Sequence, residues 1–213
     1  MEGVRYRVDH DGGLWRSDGC RLDPWMWMWR PADAAPSPDW ADVSPREAVA
    51  AALRAGARAL PVGVIGPREA TPAQMETARD LGHHLATLGL PVVCGGRSGV
   101  MAAVSAGARA AGGLTIGILP DTTWRTANRD IVVPLATGLG EVRNAVIARA
   151  SLVLVAIGGS YGTLTEIAYG LHFGKTVIGL EEPPDVSGVV PVGSVSEAVA
   201  RVAESLLMLP DMS

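Results

Sequence analysis

The apolar positions of this chain fall into short unbroken runs set between longer stretches of mixed character. Runs at 61–65, 91–94, 115–119, 131–133, 152–157 and 176–180 have the length and near-continuous apolar content of strands buried on both faces. Between them the polar and apolar positions repeat at helical spacing, and three helix starts carry the same device. Ser44-Pro45-Arg46-Glu47, Thr71-Pro72-Ala73-Gln74 and Ser194-Val195-Ser196-Glu197 each place a hydroxyl cap three residues ahead of Glu or Gln, and the first two add proline at the first helical position. These predict helices reaching about Ala57, Leu88 and Leu207. Strand and helix alternating in this way imply right-handed βαβ units: an α/β, Rossmann-like parallel sheet with helices on both faces.

Residues 1–42 break the pattern. They hold five of the six tryptophans, several prolines and an Asp11-Gly12-Gly13 turn signal. If Trp25-Met26-Trp27-Met28-Trp29 is extended, its three indoles share one face, suited to packing on the main domain or a subunit neighbour, or to forming a ligand wall. The expected organisation is an N-terminal extension over 1–58, with the Trp-rich segment and one helix, followed by a Rossmann-like nucleotide-binding domain over 59–213.

Composition narrows the partners. The chain has 213 residues, is 48% hydrophobic and carries a net charge of -4, which leaves no basic field for a nucleic-acid backbone. No apolar run approaches the roughly 20 residues that cross a bilayer, so no membrane partner is expected. Residues 1–7 lack the apolar core of a signal peptide, and Cys20 and Cys94 are isolated, which suits a reducing cytoplasm. His83, His84 and His172 have no metal-ligand partners at suitable spacing, so neither a metal nor a resident cofactor is expected.

In open parallel sheets ligands bind at the carboxyl ends of the strands. Signals follow four runs: Gly66-Pro67-Arg68; Gly95-Gly96-Arg97-Ser98-Gly99-Val100-Met101; Thr137-Gly138-Leu139-Gly140-Glu141-Val142-Arg143-Asn144; and Gly158-Gly159-Ser160-Tyr161-Gly162-Thr163. The last is the strongest. Its glycines let main-chain N–H groups approach an anion, and a helix beginning near Thr163 aims its positive end at the same point. A turn serving only strand-to-helix packing would look the same, but a second glycine loop on the same sheet edge favours a shared crevice. A P-loop is excluded because no Gly-x-x-x-x-Gly-Lys-Ser/Thr occurs, and a dinucleotide fold is disfavoured because no Gly-x-Gly-x-x-Gly follows the first strand.

Over roughly residues 60–182 the chain resembles the LOG-type, DprA-related Rossmann nucleotide-binding proteins, best known as cytokinin riboside monophosphate phosphoribohydrolases. The resemblance rests on Gly95 to Met101 and on Gly158-Gly159-Ser160-Tyr161-Gly162-Thr163-Leu164-Thr165-Glu166. Asn128, Thr137-Gly138 and Arg143-Asn144 are more similar to a subgroup that includes molybdenum cofactor carrier proteins. The resemblance implies a nucleotide or other small phosphorylated ligand bound by Gly95, Gly96, Ser98, Gly99, Met101, Thr137, Gly138, Asn144 and Gly158 to Thr163. It assigns catalysis to Arg143 and Glu166, and it implies a homodimer or homotetramer. Gly140-Glu141 stands where the hydrolases have Met-His, Asn144 where they have lysine, Ile157 where they have proline and Thr165 where they have a first glutamate.

Three functions follow as expectations. A phosphoribohydrolase would use Glu166 to stabilise an oxocarbenium-like ribose and direct water, with Arg143 orienting it. A carrier or sensor would hold a nucleotide or molybdenum cofactor in the same crevice without breaking a bond. A DprA-like single-strand DNA binder is disfavoured by the acidic balance. Trp124 and Arg125 are candidates for capping a base, and helix 99–111 and the Trp segment for subunit contact.

Overall fold

A computed structural model describes residues 4–209. The first three residues of the stretch read as lacking a signal-peptide core lie outside the described residues. The chain forms two compact units, one from the N-terminus to Ala59 together with the residues from Ala203 on, the other Leu60–Val202.

The larger unit is built on seven strands: β6 (Val62–Ile65), β7 (Val92–Cys94), β8 (Thr115–Leu119), β9 (Val133–Ala136), β10 (Val153–Ile157), β11 (Thr176–Leu180) and β12 (Val189–Pro191). Their order is β12-β11-β10-β6-β7-β8-β9, and every neighbouring pair is parallel. The Rossmann-like α/β reading therefore holds. Every residue of β6, β7 and β10 is buried, as continuous apolar strands between two helical layers must be. Helices α2 (Pro72–Thr87) and α3 (Val100–Ala110) pack on each other, as do α4 (Arg143–Ala150) and α5 (Tyr161–His172). Because β6 is followed by β7 on one side and has β10 on the other, the direction of winding reverses there, and right-handed crossovers put the two helix pairs on opposite faces.

Both proline-led caps of α1 (Pro45–Arg54) and α2 form full capping boxes, with Ser44 and Thr71 accepting from the third helical amide while Glu47 and Gln74 reach back. The edges were harder to read. β9 starts two residues later than the expected apolar run and ends three later, because Val132 already spends its N–H on Thr115 and the ladder opens at Ile116 opposite Val133. β12 was not anticipated: three residues ending in proline fit only an edge. Helix α3 does not offer an apolar contact surface, since Val100, Met101, Ala103, Val104 and Ala108 are all buried.

The smaller unit contains an antiparallel sheet ordered β4-β3-β2-β1-β5, from β1 (Tyr6–Val8), β2 (Leu14–Arg16), β3 (Cys20–Asp23), β4 (Met28–Pro31) and β5 (Asp42–Val43). It also counts the end of α6 (Val195–Leu207), which the expected 59–213 domain had kept whole. The three indoles do not share one face. Asp23 accepts from the amides of Trp25 and Met26 and starts a turn through Pro24, so only Trp29 is on a strand. Trp27 takes a left-handed φ of 53° and is buried, its indole N–H donating to the Arg58 carbonyl at 2.7 Å, while Trp25 is exposed.

A tight helix contact yields a stability test. A Cβ on Gly107 of α3 would fall 1.9 Å from the Arg79 carbonyl oxygen of α2, a backbone atom that cannot step aside. Gly107→Ala should lower the unfolding free energy by about 1–3 kcal/mol, the usual cost of overpacking, read from the urea midpoint.

Candidate functional site

A cavity of about 770 Å³ opens at the carboxyl ends of β6 and β10, where the winding reverses. That falls within the roughly 300–1,000 Å³ typical of small-molecule sites. Four connections line it: 66–69 after β6, Gly95 and Met101 after β7, 141–144 leading into α4, and residues of 159–169 after β10.

The outer wall is the start of α5. Ser160 caps the helix, its Oγ accepting from the Thr163 amide at 3.4 Å and lying 3.2 Å from Thr163 Oγ1. The amides of Tyr161 and Gly162, in the first turn, have no intrahelical acceptor, and the helix dipole adds positive potential there. The glycines of this loop answer to different neighbours. A Cβ on Gly158 would lie 2.2 Å from Gln74 Nε2, and one on Gly159 would lie 2.3 Å from Pro184 Cδ, so both are small because protein packs against them. At Gly162 the nearest atom would be 3.7 Å away, and the space its missing side chain leaves belongs to the cavity.

The inner wall is a buried ion pair. Arg143 Nη1 donates to Glu166 Oε1 at 3.2 Å and also to Asn144 Oδ1, with Arg143 3% and Glu166 6% exposed. Asn144 in turn donates to Thr165 Oγ1 at 2.9 Å and to the Gly162 carbonyl at 3.4 Å, tying α4 to the first turn of α5. Gly95 makes room for the pair, because a Cβ there would sit 2.6 Å from Arg143 Nη2 and 2.8 Å from Met101 Sδ. Burial pushes the Glu166 carboxyl up from 4.5 to about 7, against the pull of Arg143, and Glu141 adds to the rise. Arg143 Nε is buried without a hydrogen-bond partner, so the constellation has unspent donor capacity. Since α5 begins at Tyr161 rather than near Thr163, Glu166 is in the second turn, facing Arg143 rather than complementing the helix end.

Of the residues expected at the site, Gly95, Met101, Arg143, Asn144, Glu166 and Gly159 to Thr163 line the cavity together. Gly96, Ser98, Gly99, Thr137, Gly138 and Gly158 are not in its wall. Ser98 donates to the Arg68 carbonyl, Thr137 to the Leu119 carbonyl, and Gly138 to that of Asp121, so these residues brace neighbouring connections. Trp124 is exposed under the Arg125 guanidinium and is likewise absent from the wall. Arg68, Glu69, Thr165 and Tyr169 do line it and were not assigned. Arg68 had a signal, its place directly after the first strand at the reversal. Among the described residues no group of three His, Cys, Asp or Glu could hold a metal, and no helix is long and apolar enough to cross a membrane.

Residues 59–205 match the SLOG cluster 4 family. The chain belongs to this family. A protein from Archaeoglobus fulgidus with no assigned function is 36% identical over 138 residues, covering 65% of this chain and 91% of its own. The molybdenum cofactor binding protein from the phototrophic bacterium Rippkaea orientalis is 34% identical, with a TM-score of 0.66 over 69% of this chain and 97% of that one. The molybdenum cofactor carrier protein from Chlamydomonas reinhardtii is 37% identical, with a TM-score of 0.65 over 70% and 99%. The match begins at residue 59, so strands β1 to β5 lie outside the matched residues.

The buried carboxyl makes stability depend on pH in an unusual direction. Between 4.5 and about 7 the folded chain holds a proton on Glu166 that the unfolded chain has released. This contribution is full below 4.5 and is lost as pH rises through about 7, a span worth about 3 kcal/mol. Glu166→Gln should flatten the fall in urea midpoint between pH 5 and 7.5, whatever it does to stability at either end.

Proposed function

We propose that this chain binds and carries a small phosphorylated ligand of the molybdenum cofactor type and does not break a bond in it. The observation that carries the reading is the 34% and 37% identity, over 97% and 99% of their lengths, to proteins described as binding and carrying molybdenum cofactor. The local chemistry agrees. In this reading the ligand's phosphate is held at the start of α5 by the amides of Tyr161 and Gly162 and the hydroxyls of Ser160 and Thr163. The open volume suits a phosphate-bearing pterin, with Tyr161 and Tyr169 at its border. Gly95, Met101 and Asn144 form the floor, while Gly96, Ser98, Gly99, Thr137, Gly138 and Gly158 support the loops from behind.

The two residues that would carry hydrolysis are Arg143 and Glu166. Each is buried and engaged with the other, and the residues around them differ from the hydrolase pattern. One observation favours a second reading, a nucleoside 5′-monophosphate phosphoribohydrolase: a carboxyl that titrates at about 7 beside an open cavity is well poised for acid–base work. The carrier reading takes the same pair as a polar inner wall whose unspent Arg143 Nε–H donates to a ligand oxygen.

The reading carries a cytoplasmic location, supported by the free thiols of Cys20 and Cys94. It also carries a homodimer or homotetramer, supported by exposed Val132, Val133, Leu135, Leu139, Val142 and Val146 along and beyond edge strand β9.

Purification of the native protein followed by mass spectrometry and molybdenum analysis tests the reading. A phosphorylated pterin should be retained, and incubation with AMP and other nucleoside monophosphates should release no free base. Gly162→Val should abolish retention with an unchanged circular dichroism spectrum, because the added side chain enters the cavity rather than the protein. Release of free base that Glu166→Gln removes would replace the carrier with the hydrolase.

A further inference from the structure

Among the described residues, Arg68 and Arg143 are the guanidinium groups lining the cavity, and Arg143 is already committed to Glu166 and Asn144. Arg68 is different. Its side chain is 46% exposed and donates through Nη2 to Glu141 Oε1 at 2.8 Å, joining the loop after β6 to the turn before α4 across 73 residues of sequence. Both partners line the cavity and both side chains reach solvent, so the bond lies on its open side.

The main chain under Arg68 is pinned. Val100 N–H donates to the Pro67 carbonyl at 3.2 Å, Ser98 Oγ donates to the Arg68 carbonyl at 3.4 Å, and a Cβ on Gly99 would come within 2.4 Å of that same oxygen. The glycine turn after β7 therefore acts on the site through Arg68: it fixes the backbone from which the guanidinium swings. The side chain is free to do so, because an exposed ion pair in water is nearly balanced against its own desolvation and ordering. Glu141, with a side chain 69% exposed, is readily hydrated once released. A phosphate offers the guanidinium a pair of acceptor oxygens, as a carboxylate does, but with higher charge.

We propose that Arg68 is the ligand-facing cation of this crevice, and that Glu141 latches it across the mouth until a phosphorylated ligand takes the guanidinium. The inference rests on the phosphorylated-ligand reading. It assigns a specificity role to a residue pair outside the glycine loop: the ligand must bring an anionic group that displaces a carboxylate. Arg68 and Glu141 also both act on the Glu166 carboxyl, in opposite senses, so opening the latch is felt at the inner wall.

A double-mutant cycle with AMP and inorganic pyrophosphate as probes, read by calorimetric titration, tests this. Arg68→Gln should weaken binding about tenfold or more, as expected for loss of a charge-assisted bidentate contact. Glu141→Gln should tighten it about two- to fivefold, the range that an exposed ion pair spans. In the double variant the gain from Glu141→Gln should vanish, because it acts through Arg68. A gain that persists without Arg68, or an Arg68→Gln effect below about twofold, overturns the latch while leaving the phosphate reading intact. If neither probe binds the wild type, the latch falls, while the carrier reading still stands or falls on the retained phosphorylated pterin. Both side chains are exposed, and unchanged urea midpoints in the variants exclude a folding defect.

Discussion

The pairing of β6 with β10 is the constraint from which the site follows. Both strands are buried along their whole length, so the sheet must be covered on both faces. The chain meets that demand by winding outward from β6 in one direction through β7, β8 and β9, and in the other through β10, β11 and β12. Where the two directions part, the connections diverge, and no loop crosses the gap between the strand ends. The 770 Å³ cavity is that gap. Its walls come from the connections after β6, β7 and β10 and from the turn into α4, together with the first turns of α4 and α5.

Within the crevice, two kinds of polar group face each other. The start of α5 offers the amides of Tyr161 and Gly162 and the exposed Ser160 hydroxyl, suited to an anion that keeps part of its hydration, with Thr163 buried beneath them. Behind it, Arg143 and Glu166 form a pair out of water, and burial leaves the carboxyl half inclined to stay neutral near pH 7. Breaking such a pair by losing one partner leaves a buried charge, typically at a cost of about 3–5 kcal/mol, so the pair also holds α4 against α5. A residue pair that serves the wall in this way is constrained against moving during a reaction.

The glycines illustrate how one residue type does several jobs. Gly95 accommodates a guanidinium, Gly159 a proline, Gly99 a carbonyl, and Gly162 an open space. All look alike in a motif. Of these four, Gly162 alone has open space where a Cβ would be, and the position of Arg68 shows what the Gly99 turn supports.

The sequence by itself determined the parallel α/β class, the positions of the central strands and the helix starts at Ser44 and Thr71. These depend on local patterning: continuous apolar runs and reciprocal caps act over a few residues. The strand-end rule also put Gly158 to Thr163 and Arg143 at one sheet edge, whereas Glu166 was assigned by resemblance to the hydrolases. The tertiary structure alone decided the rest. Edge strands β9 and β12 are defined by what they pair with, so their composition carries little signal. The turn after Asp23 is local, but the burial of Trp27 within it rests on its indole reaching the Arg58 carbonyl, 31 residues away. The meeting of Arg68 with Glu141, and the burial that raises the Glu166 carboxyl, arise from distances through space that no spacing along the chain encodes.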